Sequence, residues 1–243
     1  MIIPRIGFIQ PGGIGDIIIS LPIAKYYFDK GYEVYFPIDK KYINSFVDAA
    51  PYINFLTLES TTTVEDAIHT PVKLLKDLNC QVFNLISHIS TNPELVSNSE
   101  LAKYLKFDQY KFAVAHVPFG LKWNLDIHRD YKRELDLYKK LVPLDITEYS
   151  VVQLHASQAE IKLNQISNLL TTKHIIEINT LTNNIFDWLT IIERAKELIL
   201  LESCFSNLVD QLNFKNKKTL ILKAQGLFNP VLINDWNYAW MNT

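Results

Sequence analysis

Apolar residues run almost unbroken from Ile2 to Gln10, which predicts a buried strand, and a second apolar run extends from Ile17 to Phe28. The second run reads as a helix, Ile17–Lys30, closed by Gly31, with Pro22 either in its first turn or kinking it. Tyr32–Ile38 is then a strand, Lys40–Ala50 a short helix ended by Pro51, and Asn54–Leu58 a third strand. Val64–Leu78 has helical spacing with a break at Pro71, Gln81–Ile86 is a fourth strand, and Glu100–Phe107 is a short helix. Ile127, Tyr131, Leu135, Tyr138 and Val142 recur at three- and four-residue steps, which predicts a long helix over Leu125–Val142. Its other face mixes Arg129, Lys132, Arg133, Lys139 and Lys140 with Asp130, Glu134 and Asp136, the pattern of a solvated face rather than a nucleic-acid-binding one.

Pro143–Tyr149 reads as a linker, after which the alternation restarts. Strands are expected at Ser150–His155, His174–Ile178, Leu198–Leu201 and Thr219–Leu222, with helices near Glu160–Leu170, Asn184–Lys196 and Cys204–Leu212. The segment Trp236–Trp240 reads as an aromatic helix packed back onto the body. Two runs of strand–helix–strand imply an α/β chain with mainly parallel sheets, arranged as two Rossmann-like halves facing across a cleft. The expected division is 1–145 and 146–243, the second half being trimmed.

Composition narrows the function classes only slightly. A net charge of −2 gives no global attraction to nucleic acid or anionic membrane. No apolar stretch reaches the roughly 18 residues of a membrane-spanning helix. The N-terminal run, interrupted by Pro4 and Arg5, does not read as a signal peptide, so a cytoplasmic protein is expected. Cys80 and Cys204 are far apart, match no metal or redox spacing, and read as buried free thiols.

The candidate chemistry begins between the first strand and helix, at Pro11-Gly12-Gly13-Ile14-Gly15-Asp16. Three of the chain's seven glycines fall within four positions there. A glycine turn at a helix start brings unpaired N–H groups close to a ligand. An acid in such a turn repels phosphate, so Asp16 is expected to act on another substrate. The spacing is not that of a dinucleotide-binding turn, because Ile18 stands where its last small residue belongs, and no lysine–hydroxyl pair closes a phosphate loop. Asp39 is the one acid near the end of the second strand, where such folds hold a ribose.

Gly13-Ile14-Gly15-Asp16 through Pro22 resembles the opening motif of heptosyltransferase-like, family-nine glycosyltransferases of the GT-B fold. Val151-Val152-Gln153-Leu154-His155-Ala156-Ser157, followed by Lys162, is similar to the start of their second domain. Glu202-Ser203 before Cys204 is similar to their acid–serine turn, although the glycine and histidine that follow it in the family are Phe205 and Asn207 here. The resemblance implies transfer of a sugar from a nucleotide-sugar donor to an acceptor hydroxyl, with inversion; the sequence has no zinc-ligand spacing and no Asp-x-Asp, so neither a metal nor another cofactor is expected. Asp16 would be the general base, or alternatively only a helix cap. Gly13, Gly15, Ser157, Lys162, Glu202 and Ser203 would bind substrate, Lys162 facing the departing diphosphate.

A saccharide or glycan is the expected acceptor, and a modified base in DNA a less favoured one. His88 and His128 are weaker acceptor-side candidates. A catalytically silent nucleotide- or sugar-binding module remains the alternative from another class.

Overall fold

A computed structural model of the chain describes residues 3–86, 98, 100–156, 159–222 and 229–240. The chain forms two compact units, one of Met1–His128 with Gly226–Val231 and the other of Arg129–Gln225 with Leu232–Thr243. Each is built on a parallel sheet, as the alternating pattern predicts.

In the first unit, strands β1 (Arg5–Ile9), β2 (Glu33–Asp39), β3 (Asn54–Leu58) and β4 (Gln81–Asn84) form a sheet of order β3-β2-β1-β4. All pairings are parallel, with Ile6 opposite Gln81 and Ile9 opposite Asn84. Ile6, Phe8 and Ile9 of the central β1 are fully buried, as a strand covered on both faces requires. Helix α1 (Ile14–Asp29) buries every residue from Ile17 to Ala24, so it is apolar nearly all round rather than amphipathic. Pro22 lies well inside this helix, past its first turn. Helix α2 (Lys40–Phe46) is capped by Asp39. A π turn, Glu65–His69, runs directly into α3 (Thr70–Asp77), so Pro71 sits in the first turn of α3 and marks the change of helical form. Ile9, Ile68, Val72, Leu75, Val82 and Ile86 form the core under α3. Gly7 lets α3 lie this close, since a Cβ there would come within 2.6 Å of Leu75.

Helix α4 (Phe107–Val114) has no counterpart in the sequence pattern, where only a helix over Glu100–Phe107 is expected; that stretch holds a single 3₁₀ turn, Leu101–Lys103. The buried residues of α4 include Asp108 and Lys111, so its inward face does not read as an apolar stripe. Asp108 accepts from Lys122 Nζ at 2.7 Å and from the Val231 N–H at 2.7 Å, which clips the returning segment to this unit.

In the second unit, α5 (Tyr131–Leu141) starts six residues later than the periodicity suggests, because Asp130 caps it by accepting from the Arg133 N–H at 3.1 Å. Its charged face is only partly solvated. Glu134 is buried and takes Arg129 and Thr190, while Arg133 makes a two-pronged pair with Asp187. Strands β5 (Ser150–Val152), β8 (Ile175–Glu177), β9 (Glu197–Leu201), β10 (Lys217–Leu222) and β11 (Trp236–Trp240) form a parallel sheet of order β11-β10-β9-β5-β8. Helices α6 (Leu189–Arg194) and α7 (Cys204–Gln211) complete the unit.

Two expectations fail here. The segment 160–170 is not a helix: β6 (His155–Ala156) and β7 (Ala159–Glu160) form a hairpin, followed by 3₁₀ turns at Leu163–Gln165 and Ser167–Leu169. Side chains take backbone partners in this stretch: the Ser167 hydroxyl donates to the Asn164 carbonyl at 3.0 Å, and Gln165 Oε1 accepts from the Lys162 N–H at 2.7 Å. Trp236–Trp240 is a strand rather than an aromatic helix, paired residue for residue with Lys218–Leu222. Only Trp236 of this strand is buried, and its Nε1 donates to Asp210 at 3.0 Å, while Tyr238 and Trp240 are exposed.

Candidate functional site

In the first unit, β1 lies between β2 and β4: the chain leaves β1 toward β2 on one side, and after β3 it crosses back to add β4 on the other. Open parallel sheets bind ligands at such a switch point. The glycine turn follows β1 directly. Gly13 has φ of +73° and forms the N-cap of α1 without any side-chain cap. A Cβ on Gly13 would lie 2.7 Å from Asp16 Oδ2, so the missing side chain makes room for the carboxylate as well as for the turn.

Asp16 is in the first turn of α1 but caps nothing. Its Oδ1 pairs with Lys111 Nζ at 3.0 Å. No described residue donates a hydrogen bond to its other oxygen, and the side chain is partly open, 36% exposed. It borders a hollow of about 400 Å³, lined also by Gly12, Gly13, Lys41, Thr61 and Ile86. The alternative in which Asp16 merely caps the helix therefore finds no support in this geometry. Gly15 lies in the first turn of α1 and is not among the residues lining the hollow.

Asp39 does not offer a ribose-binding acid. Its carboxylate takes the Lys41 N–H at 3.0 Å, the Thr61 hydroxyl at 2.8 Å and Lys41 Nζ at 3.2 Å. Burial pushes the Asp39 carboxyl up, but these donors outweigh it and hold the group below its ordinary value. Through Thr61, Asp39 fixes the hydroxyl that faces Gly12.

In the second unit the switch point lies between β5 and β9. Glu202 and Ser203 follow β9 directly, and the Glu202 N–H donates to the Ile221 carbonyl at 3.0 Å. Ser203 is the N-cap of α7: its hydroxyl accepts from the Phe205 N–H at 3.2 Å and donates to Gln153 Oε1 at 2.5 Å. Gln153 follows β5, so this bond spans the switch point. The hairpin returns the chain to the same end of β5, where the Ile161 N–H bonds to the Leu154 carbonyl at 2.9 Å, and the exposed Lys162 comes next. A second hollow, of about 300 Å³, is lined by Ile161, Gln165, Asn168, Ile221 and Trp240; it contains none of Lys162, Glu202 or Ser203. Ser157 and His88 lie outside the described residues. His128 is exposed, and its backbone N–H bonds to the Ala49 carbonyl.

The residue that sequence reasoning missed is Lys111. It is 2% exposed, carried on the unforeseen α4, and its only sequence signal is that of one more surface lysine. Neither Cys80 nor Cys204 forms a disulfide, as expected, but both are half-buried rather than buried; burial pushes the Cys80 thiol up to about 11. Among the described residues no group of three or more His, Cys, Asp or Glu is placed to hold a metal ion. No described helix is long and apolar enough to cross a membrane.

Solved structures share this architecture. A glycosyltransferase family 9 protein from Veillonella parvula superposes over 100% of this chain and 89% of its own, with TM-score 0.62 and 12% identity. The ADP-heptose lipopolysaccharide heptosyltransferase II of E. coli covers 98% of this chain and 90% of its own, with TM-score 0.62 and 9% identity. The fold is that of the family-nine glycosyltransferases. The chain also matches TibC, a dodecameric iron-containing glycosyltransferase of enterotoxigenic E. coli, at TM-score 0.51 and 11% identity, over 90% of this chain but only 57% of TibC. No family model matches the chain, and no curated protein matches it in sequence. The likeness therefore resides in the fold, which supports the GT-B-like, two-sheet architecture expected from the sequence.

Proposed function

We propose that this protein is a glycosyltransferase that moves a sugar from a nucleotide-sugar donor to an acceptor hydroxyl. The observation that carries the reading is the Asp16 carboxylate: one oxygen is paired with Lys111 while the partly exposed side chain borders the hollow, on a glycine turn at the switch point of a fold shared with sugar transferases.

Asp16 is the general base in this reading. As the acceptor oxygen attacks the anomeric carbon, its proton passes to the open oxygen of Asp16, and the bond to the nucleotide phosphate breaks. Attack opposite the leaving group inverts the anomeric centre. Lys162 stabilises the charge that develops on the leaving phosphate, and no metal is required for this step. Gly13 and Gly15 shape the acceptor turn, and Ser157, Glu202 and Ser203 belong to the donor side. Because the Ser203 hydroxyl is already bonded to Gln153 and to the helix it caps, its contribution is to set the α7 N-terminus rather than to offer a free hydroxyl. The acceptor proposed is a saccharide or glycan, since the hollow beside Asp16 offers threonine hydroxyls and backbone, its lysine, Lys41, being paired with Asp39, rather than the basic, aromatic surface that suits nucleic acid.

The same occupied Ser203 favours one alternative, a catalytically silent binding module. Screening UDP-, GDP-, CMP-, ADP- and dTDP-linked sugars by thermal shift and nucleotide release separates the two. Asp16→Asn is expected to abolish transfer while leaving the donor-induced melting shift in place. Full transfer by that variant would remove the base assignment.

A further inference from the structure

The ammonium of Lys111 stands at the switch point of the first sheet and is buried with three oxygens around it. It donates to Gln10 Oε1 and to the Leu85 carbonyl at 3.1 Å, and it pairs with Asp16 Oδ1 at 3.0 Å. Gln10 follows β1 and Leu85 follows β4, so one side chain ties together the ends of these two neighbouring strands. Two of the ammonium's three protons go to the Gln10 and Leu85 oxygens, and the Asp16 carboxylate is held beside it as an ion pair. Burying such a charge is tolerated only with partners of this kind, and Asp16 is the one that carries the opposite charge. The anchored direction of Oδ1 in turn fixes where Oδ2 points.

A comparison within the molecule sharpens this. In both units the residue after the first strand of the sheet in chain order is a glutamine whose amide nitrogen bonds to the carbonyl two residues on: Gln10 to Gly12 at 2.8 Å, and Gln153 to His155 at 3.1 Å. In both, the amide oxygen takes a donor. In the second unit that donor is the neutral Ser203 hydroxyl, which caps a helix. In the first it is the Lys111 ammonium, which reaches past the glutamine to a carboxylate. The same backbone device thus carries a charge only where the proposed base stands.

We infer that Lys111 is a positioning residue for Asp16, holding the carboxylate so that its open oxygen meets the acceptor hydroxyl, with Gln10 and the Leu85 carbonyl fixing the ammonium. This rests on the reading of Asp16 as the base. A misplacement of the base by about 1 Å costs on the order of 100-fold in rate. Lys111→Met is therefore expected to lower kcat by about 100-fold with the donor KM within about threefold of wild type. Lys111→Gln, which retains neutral donors for Gln10 and Leu85, should fold if the methionine variant does not and should show the same kcat loss. In Lys111→Ala, added propylamine is expected to restore activity, and in Asp16→Asn it should not.

A folded Lys111→Gln variant with wild-type kcat would overturn the inference. So would a crystal structure of that variant in which the Asp16 carboxylate keeps its place, and this arm decides the matter even if no nucleotide sugar is turned over. Absence of turnover and donor binding in the wild-type protein would instead count against the glycosyltransferase reading.

Discussion

At the scale of single residues, the site depends on what is absent from Gly13 as much as on what Asp16 presents. A side chain at position 13 would need both a φ of +73° and the volume now held by Asp16 Oδ2. Gly13→Ala is therefore expected to cost about 1 kcal/mol or more of stability from backbone strain and, separately, to displace the carboxylate. Urea denaturation reads the first effect and transfer kinetics the second; an alanine variant with unchanged stability and activity would contradict both. The glycine–acid turn was legible in the sequence because glycine is uncommon in this chain and three of its seven glycines fall there. Lys111 was not, because burial is a property of its neighbours: nothing adjacent to it in sequence shows that Gln10, Asp16 and the Leu85 carbonyl converge on it.

At the scale of elements, the pattern of apolar residues located strands better than helices. Asn54–Leu58 falls where expected, whereas α4 went unseen and a helix was expected over 160–170. The cause is the same in both directions. Helix α4 turns Asp108 and Lys111 inward, and its charges are satisfied by partners distant in the chain. Removing such a partner is costly: Asp108→Ala leaves the fully buried Lys122 without its carboxylate and the Val231 N–H without its acceptor, with an expected loss of about 3–5 kcal/mol on chemical denaturation. A loss below about 1 kcal/mol would show that the clip contributes little.

Glu197 in β9 makes a comparable tie in the second sheet. It accepts from Ser150 at 2.7 Å and from the Thr171 N–H at 2.6 Å, and pairs with Lys217 at 3.5 Å. Burial pushes its carboxyl up, but these donors outweigh burial and hold it below the ordinary 4.5. A carboxyl depressed by folding contributes stability above its unfolded value, and that contribution is lost as pH falls through the folded one. Glu197→Gln should therefore be less stable near neutral pH and lose stability less steeply than wild type below about pH 4.5. Parallel pH–stability curves for the two proteins would contradict the assignment.

At the scale of the whole molecule, two alternating α/β runs predicted two parallel sheets, and the described residues form two. The return of 226–231 to the first unit was not legible, because it is specified by a buried aspartate rather than by any periodicity. The account as a whole stands on the claim that the opening turn is a catalytic base in a sugar transferase. The most direct test is nucleotide release from UDP-, GDP-, CMP-, ADP- and dTDP-linked sugars in the presence of a glycan acceptor panel, by the wild-type protein and Asp16→Asn side by side. The account predicts acceptor-dependent release from one donor class by the wild type and none by the variant. Equal release by both proteins, or none from any donor by the wild type, would contradict it.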